Sequence, residues 1–330
     1  MRIPAWLRHD PHLRPLVILV LAVALLAMLD AGQGRFLGVA TARSTFETFG
    51  DTGLVALGLG LTMMMREFDL SVVGVFSAAG CIAVLTGNDN PWLGLVLALA
   101  VGLATGAAQG WLIVRLRLSS IGVTLGGMLV LSGIAYVLSE NRSLPYDNMP
   151  VALALTQPIA VVLSIRSLLT LAFFAIAAFV IGATRIGRDL IAIGSDRRAA
   201  MIAGVNVDAM TVGVFAFSGA AAALAGVLVS YSLASASPAG LSDVIVPAAT
   251  AAIIGGVSLS GGTGRPLGIA IGMLALGVLH AGLNALGAPP YVDEIAMGAV
   301  LMAVAIADGP LLWRRVRMAH RLIAGARQHG

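Results

Sequence analysis

Long apolar runs separated by short polar stretches fill most of the chain. A helix needs about 20 mostly apolar residues to cross a bilayer core, because every backbone N–H and C=O group must find its partner inside the segment. About ten runs approach this length, which predicts an all-α, polytopic membrane helix bundle with about ten transmembrane helices. The predicted spans are roughly 15–30, 48–65, 70–87, 91–114, 120–139, 158–183, 209–232, 243–258, 265–286 and 291–308.

The distribution of arginine indicates how these spans are oriented. Positive charge is retained on the cytoplasmic side of a membrane protein, and all 20 basic residues of this chain are arginine. With a cytoplasmic N-terminus and ten crossings, sixteen of them lie inside and four outside. We therefore expect both termini in the cytoplasm, with a tail at 1–14, a long loop at 184–208 and an Arg-rich tail at 309–330. The four outer arginines are Arg35, Arg43, Arg142 and Arg166.

The first apolar run has a second interpretation. Leu16 to Leu29 is short and follows a basic start, as the core of a cleavable signal peptide does. Cleavage would leave nine spans and reverse the side on which the arginine-rich tail lies. The arginine bias favours a retained first helix, so that residues 1–330 form a single transmembrane domain.

Composition agrees with a membrane protein and excludes several other classes. Charged residues make up 11% of the chain, against about 25% in soluble domains, and the mean hydropathy is +0.96. These values exclude a disordered chain, a nucleic-acid-binding domain and an ordinary cytosolic enzyme. The absence of lysine excludes a Walker A motif. With one cysteine, Cys81, and only His280 among the histidines in an apolar segment, we expect neither a metal nor a cofactor in this chain.

The loop at 184–208 contains a predicted short helix. Ser195 or Asp196 can cap its start, and Gly204 suits its end. Its small and apolar residues exceed what a solvated loop needs, so it is either a helix that a partner protein grips or a helix lying flat among lipid headgroups. The residues of interest are Ser195, Asp196, Ala199, Ala200, Met201, Ala203 and Gly204.

Four polar residues are candidates for a translocation pathway. Asp69 lies between two apolar runs with almost no spacing, either in a tight cytoplasmic turn or at a helix break at membrane depth, where it would cap the next half-helix. Thr124 is polar within a span, although such residues often bond their own backbone. His280 and Asn284 are four apart and share one helix face, where they either contact passing hydroxyl groups or form an interhelical hydrogen bond.

Four blocks, in order, resemble the permease subunits of bacterial ABC sugar importers of the ribose, xylose and arabinose type. Gly53 to Gly80 contains F-D-L-S-V-V-G, similar to the family's G-I-D-L-S-V-G. Gly110 to Gly127 is similar to its N-G-L-L-V block, Gly187 to Gly204 to its G-R-x-x-x-A-I-G block, and Gly255 to Gly268 to its Gly-rich block. The resemblance covers roughly residues 45–310.

The resemblance implies the inner-membrane subunit of an importer for a monosaccharide or related polyol. Two permease copies would form the pathway in the lipid bilayer, a periplasmic solute-binding protein would deliver the solute, and separate ABC ATPase subunits would bind ATP and Mg²⁺. The helix within 184–208 would then be the coupling helix that docks on the ATPase. Nucleic acid is not an expected partner.

The chain departs from the family pattern at several positions. Arg66-Glu67-Phe68 stands where the family has Gly-Gly-Ile, Ser119 stands where it has proline, and Arg265-Pro266 stands where it has Gly-Ser. The first two departures leave the solute open, with branched-chain amino acids or nucleosides as the alternative. An ion-coupled secondary transporter is a further alternative, disfavoured because the acidic residues fall at span ends.

Similar segments recur along the chain in a way that predicts an inverted repeat. Pro91 opens the fourth span and Pro266 the ninth, and Gly127 and Gly298 occupy the fifth and tenth. Five crossings separate the paired spans, so they run in opposite directions, which is consistent with a five-plus-five repeat.

Overall fold

A computed structural model describes residues 13–30, 34–240, 244–304 and 306. The predicted tails at 1–14 and 309–330 therefore lie almost wholly or wholly outside the described residues. The described part is helical apart from loops and four very short strands. The helices are α1 (Leu13–Leu29), α2 (Val39–Met64), α3 (Val72–Gly87), α4 (Pro91–Leu116), α5 (Ser120–Leu138), α6 (Met149–Thr156), α7 (Ile165–Ala183), α8 (Arg185–Ser195), α9 (Arg197–Ile202), α10 (Val207–Ser232), α11 (Ile245–Ile254), α12 (Pro266–Ala285) and α13 (290–304).

Each of the ten predicted spans overlaps one of these helices, and the all-α architecture is confirmed. Among the described residues, five helices are long and apolar enough to cross a membrane: α4, α5, α7, α10 and α12. Helices α1, α3 and α11 are apolar but shorter. Helix α2 has 26 residues and carries three charged side chains in its first half.

The starts of two spans were predicted wrongly. Helix α2 begins at Val39, nine residues before the predicted start at 48. The first part of α2 contains charged residues, which is why the apolar pattern did not include it. These residues are paired: Arg43 Nε lies 2.9 Å from Glu47 Oε1, and Asp51 forms an ion pair with Arg166 of α7. Because opposite charges four residues apart on a helix stabilise it, a polar stretch need not end a helix.

The predicted span 158–183 is a helix only from Ile165 onward. Residues before it form the hairpin of β2 (Pro158–Ala160) and β3 (Leu163–Ser164). Ser164 accepts a hydrogen bond from the backbone N–H of Ser167, and the Ser167 hydroxyl bonds back to the N–H of Ser164, which forms a capping box. A capping box fixes where a helix begins, and the apolar run alone does not show it.

Helix α10 is the centre of the bundle, and α4 packs against it through a stripe of small residues. The buried positions of α4 recur every four residues and include Gly94, Ala98, Gly102, Gly106 and Gly110. A Cβ added at Gly102 or Gly106 would collide with the backbone of α10. Small residues at this spacing allow the backbones of two membrane helices to approach closely, so the α4–α10 pair is held by direct backbone contact.

At the opposite end of α10 from α9, two loops are joined by a small sheet. Strand β1 (Leu144–Pro145) pairs antiparallel with β4 (Ser235–Ala236). Beside it the rings of Tyr146 and Tyr231 stack with centroids 4.3 Å apart, and the Tyr231 hydroxyl lies 3.0 Å from the carbonyl oxygen of Pro91. These contacts fix the α5–α6 and α10–α11 loops against the start of α4.

Candidate functional site

The predicted helix in the 184–208 loop is present as α9, and Asp196 caps it. Its carboxylate accepts hydrogen bonds from the backbone N–H groups of Arg198, at 2.9 Å, and Ala199, at 3.0 Å. These bonds lower the pKa of Asp196 below its ordinary value, because they favour the charged carboxylate, and the bond from Ala199 has the largest effect. The cap is not Ser195, which ends α8 and whose hydroxyl donates to the Ile191 carbonyl oxygen at 2.9 Å.

Helix α9 presents one side to the bundle and the other to the surroundings. Ala200 is buried, with 3% of its surface exposed, whereas Met201 and Ile202 are 50% and 88% exposed. Gly204 ends the turn with a positive φ of 85°. Such a left-handed residue commonly terminates a helix. The remaining predicted residues, Ser195, Asp196, Ala199, Ala203 and Gly204, are also exposed.

The loop contains a second helix, α8, which was not predicted. Leu190 and Ile193 are buried on one side of it, and Arg185 and Arg188 are exposed on the other. A buried face and a charged face at helical spacing are typical of an amphipathic helix at a surface. Gly194 near its end is needed for close packing, since a Cβ there would collide with the carbonyl oxygen of Met64.

Two polar contacts join the α8–α9 segment to the segment between α2 and α3. Arg66 Nη2 donates to the carbonyl oxygen of Ser195 at 2.9 Å. Arg197 Nη1 lies 2.8 Å from Glu67 Oε1, and the Glu67 side chain is only 15% exposed. Arg66 itself has a positive φ of 65°, an uncommon conformation for a residue with a side chain. Arg66 and Glu67 occupy two positions at which the family that the chain resembles has glycine.

The Gly-rich loop between α11 and α12 packs where the α8–α9 segment meets the segment between α2 and α3. The backbone N–H of Gly262 donates to the carbonyl oxygen of Met64 at 2.9 Å. Gly261 and Gly262 have φ values of 70° and 72°, and a Cβ at Gly261 would collide with the Arg66 side chain. The glycines of this loop therefore permit a close approach between three segments.

Segment 65–71 also bonds to the start of α5. The backbone N–H of Phe68 donates to Ser120 Oγ at 3.2 Å. Thr124 Oγ1 lies 3.1 Å from the carbonyl oxygen of Phe68 and 2.8 Å from that of Ser120. The predicted pathway residue Thr124 thus bonds to backbone, as such residues often do, and one of the two bonds fixes segment 65–71 on α5.

Asp69 is fully buried, with none of its surface exposed. Its Oδ1 accepts from the Ser71 N–H at 3.0 Å and the Ser71 hydroxyl at 2.6 Å. Its Oδ2 and the hydroxyl of Ser218 on α10 both lack a partner at hydrogen-bond distance, although the two side chains are close enough to interact. Ser218 is eleven residues into α10, roughly 16 Å along the axis at 1.5 Å per residue. The segment therefore turns back into the bundle.

The predicted capping role of Asp69 is wrong in detail. The N-cap residue of α3 is Ser71, and no side chain caps that helix. Asp69 holds Ser71 from two residues earlier, which is an Asx-type turn. Asp69 thus fixes the start of α3 without being its cap.

His280 and Asn284 share a face of α12, as predicted, and bond to each other and to a third residue. Asn284 Nδ2 lies 3.2 Å from His280 Nε2, and His280 Nδ1 lies 2.6 Å from Asp293 Oδ2 on α13. The interhelical hydrogen bond is therefore present, and its partner on α13 is one of the acidic residues at span ends. Among the described residues, no hydrogen bond links this group to Asp69 or Thr124.

Comparison with known proteins identifies the class of the chain. Residues 41–305 match a family described as branched-chain amino acid transport system, permease component. The chain belongs to this permease family. Its relatives include proteins named for other solutes, and no solved structure matches the permease.

Several curated relatives align with the permease over most of their length. The ribose import permease protein RbsC of Haemophilus influenzae is 28% identical over 303 residues, which are 90% of this chain and 93% of that protein. The L-arabinose transport system permease protein AraH of Escherichia coli is 30% identical over 78% of this chain and 79% of its own. The autoinducer 2 import system permease protein LsrC of Enterobacter sp. is 30% identical, over 90% and 87%.

Proposed function

We propose that this chain is the membrane-spanning subunit of an ATP-driven ABC importer for a monosaccharide or related polyol. The relatives that align over most of the chain are named for ribose, L-arabinose and autoinducer 2 import. Their agreement favours a hydroxyl-rich solute over the branched-chain amino acids in the family's description. The arrangement that carries the proposal is α9, exposed on one side and bonded on the other to the segment that contains buried Asp69.

The proposed topology follows the arginine distribution. Ten helices cross the bacterial inner membrane, both termini are cytoplasmic, and the two halves form a five-plus-five inverted repeat. Helices shorter than a full span, such as α3 and α11, fit this count if the connecting backbone is buried within protein. Segment 65–71 supports such an arrangement, because its backbone bonds to Ser120 and Thr124.

The proposed partners are an ABC ATPase subunit, a periplasmic solute-binding protein and a second permease copy. The ATPase receives the exposed side of α9, including Ala199 and Ile202. It binds and hydrolyses ATP with Mg²⁺, for which this chain provides no P-loop lysine. For the second copy we propose the outer face of α5, where a Cβ at Gly122 or Gly126 would meet nothing within 4 Å.

Docking on α9 is proposed to act on the pathway through segment 65–71. Movement of α9 would displace Arg66 and Glu67, and with them Asp69 and the start of α5. We propose that side chains along segment 65–71 and the start of α5 contact the solute, and that Asp69 and Thr124 hold these two elements in position. His280 and Asn284 are assigned to the α12–α13 contact, since their polar groups already bond within it.

The experiment is uptake into vesicles that contain the permease, its ATPase subunit and its binding protein. Radiolabelled ribose, L-arabinose and leucine are offered separately, with ATP on the ATPase side. We expect uptake of a sugar that requires ATP and both partner proteins. Uptake by the permease alone under a sodium or proton gradient would refute the proposal, and ATP-driven uptake of leucine alone would refute the solute class.

A further inference from the structure

A cavity of about 640 Å³ lies beside α9, at the end of α4. Three arginines line it, Arg115 and Arg117 from the end of α4 and Arg197 from α9. Two carboxylates, Glu67 and Asp208, complete its polar part. Arg117 ends α4 in a left-handed conformation, with a φ of 54°.

The charges of this cavity do not cancel. Arg197 is paired with Glu67 at 2.8 Å. Neither Arg115 nor Arg117 forms a hydrogen bond or an ion pair with any part of the chain that the structure describes. Against the single remaining carboxylate of Asp208, these two arginines leave one net positive charge. A phosphodiester group, which carries one negative charge, would neutralise it.

The remaining wall of the cavity is apolar. It consists of Ile113, Val114, Leu118 and Met201, of which Leu118 and Met201 are about half exposed. One turn before Arg115 on the same helix, Trp111 is 55% exposed. Tryptophan is enriched where membrane helices pass the headgroup layer, and arginine side chains extend from that depth toward the water. Together these side chains favour a position where a headgroup meets its acyl chains.

We propose that this cavity binds the headgroup of an anionic phospholipid. Arg115 and Arg117 contact the phosphodiester, and the acyl chains lie along Val114 and Leu118 toward the lipid-facing side of α4. Basic pockets between helices at a membrane surface suit such headgroups. The apolar wall favours a lipid over an acidic side chain of a partner protein, which would need no apolar surface. The proposal is independent of the transported solute.

The test measures lipid binding to the full-length permease in a nonionic detergent. Native mass spectrometry follows retention of added phosphatidylglycerol, with phosphatidylcholine as the neutral lipid and inorganic phosphate as the soluble anion. The variant is Arg115→Gln with Arg117→Gln. The control is Arg185→Gln with Arg188→Gln, which removes the same charge from exposed positions of α8 outside the cavity.

We expect the wild-type chain to retain phosphatidylglycerol in preference to phosphatidylcholine. Loss of each arginine near an anionic surface weakens binding about five-fold, so the double variant should bind roughly 25-fold more weakly. The control should bind within about two-fold of the wild type.

Three results would overturn the proposal. An equal loss in the control would mean that only general surface charge attracts the lipid. Binding of inorganic phosphate as tight as that of phosphatidylglycerol would identify a site for a soluble anion. Unchanged phosphatidylglycerol binding in the variant, with loss of ATPase binding, would assign the arginines to a protein contact. Thermal unfolding of both double variants establishes that each is folded.

Discussion

The ion pair between Glu67 and Arg197 is the sharpest feature to perturb, because it joins α9 to segment 65–71 across 130 residues of sequence. Replacing Arg197 with glutamine leaves a carboxylate whose side chain is 15% exposed without its cation. Exposed pairs contribute about 0.2–1 kcal/mol, and breaking a fully buried pair costs about 3–5 kcal/mol. The Arg197 side chain is 38% exposed, so we expect Arg197→Gln to lower the free energy of unfolding by about 1–2 kcal/mol.

A double-mutant cycle isolates this pair. Glu67→Gln and Arg197→Gln are measured singly and together by denaturant unfolding of the purified permease. Because the double variant leaves no unpaired charge, it should lose little more than Arg197→Gln alone, with a coupling free energy of about 1 kcal/mol. The control is Arg198→Gln, at an exposed neighbouring position of the same helix, which should change stability by less than about 0.5 kcal/mol.

The functional form of this prediction uses reversed charges. In vesicles with the ATPase and binding protein, Arg197→Glu should reduce the amount of solute transported per ATP hydrolysed, because two carboxylates then repel across the junction. Adding Glu67→Arg should restore the ratio. A coupling free energy below about 0.5 kcal/mol, or a reversed pair that unfolds normally but transports no better than Arg197→Glu alone, would refute the reasoning.

Three further predictions concern other parts of the molecule. Asp196→Ala should reduce amide hydrogen-exchange protection in α9, because the helix loses its cap. The pKa of Asp196 is lowered in the folded chain, so the stabilisation that its carboxylate provides is present above the ordinary pKa of 3.8 and is lost as the pH falls through the lower folded value. Asp196→Asn should abolish this pH dependence. Gly106→Ala should destabilise the bundle by about 1–3 kcal/mol, whereas Gly213→Ala on α10, where a Cβ meets nothing within 4 Å, should be neutral or stabilising in the same thermal unfolding assay. Asp293→Asn should lower the unfolding temperature by weakening its bond to His280, and a changed KM for solute at unchanged stability would contradict this structural role.

Features that depend on neighbouring residues were predictable from the sequence. The ten apolar runs correspond to helices because backbone hydrogen bonds in a membrane are satisfied within each segment. Helix α9 was predictable because its start and end chemistry, Asp196 and Gly204, lie beside it in sequence. Helix α8 was missed although the spacing of Ile186, Leu190 and Ile193 carried the signal, since its polar face lowers the average hydropathy that identifies spans.

Features that depend on distant residues were not predictable. Arg66 contacts Ser195 across 129 positions, and no local pattern specifies that partner. The departure at 66–68 was visible, but its meaning depends on the position of α9. In the same way, Asp293 was placed at a span end from its local surroundings, whereas the packing of α13 on α12 places it against His280.

The contact between α4 and α10 has a mechanical consequence. Where glycines bring two backbones together, no flexible side chains lie between them to adapt when one helix slides past the other, and displacement along the axis would drive the next side chain into a peptide group. The two helices must then move as one rigid body. Alternation between inward and outward openings therefore falls to the helices that surround this pair.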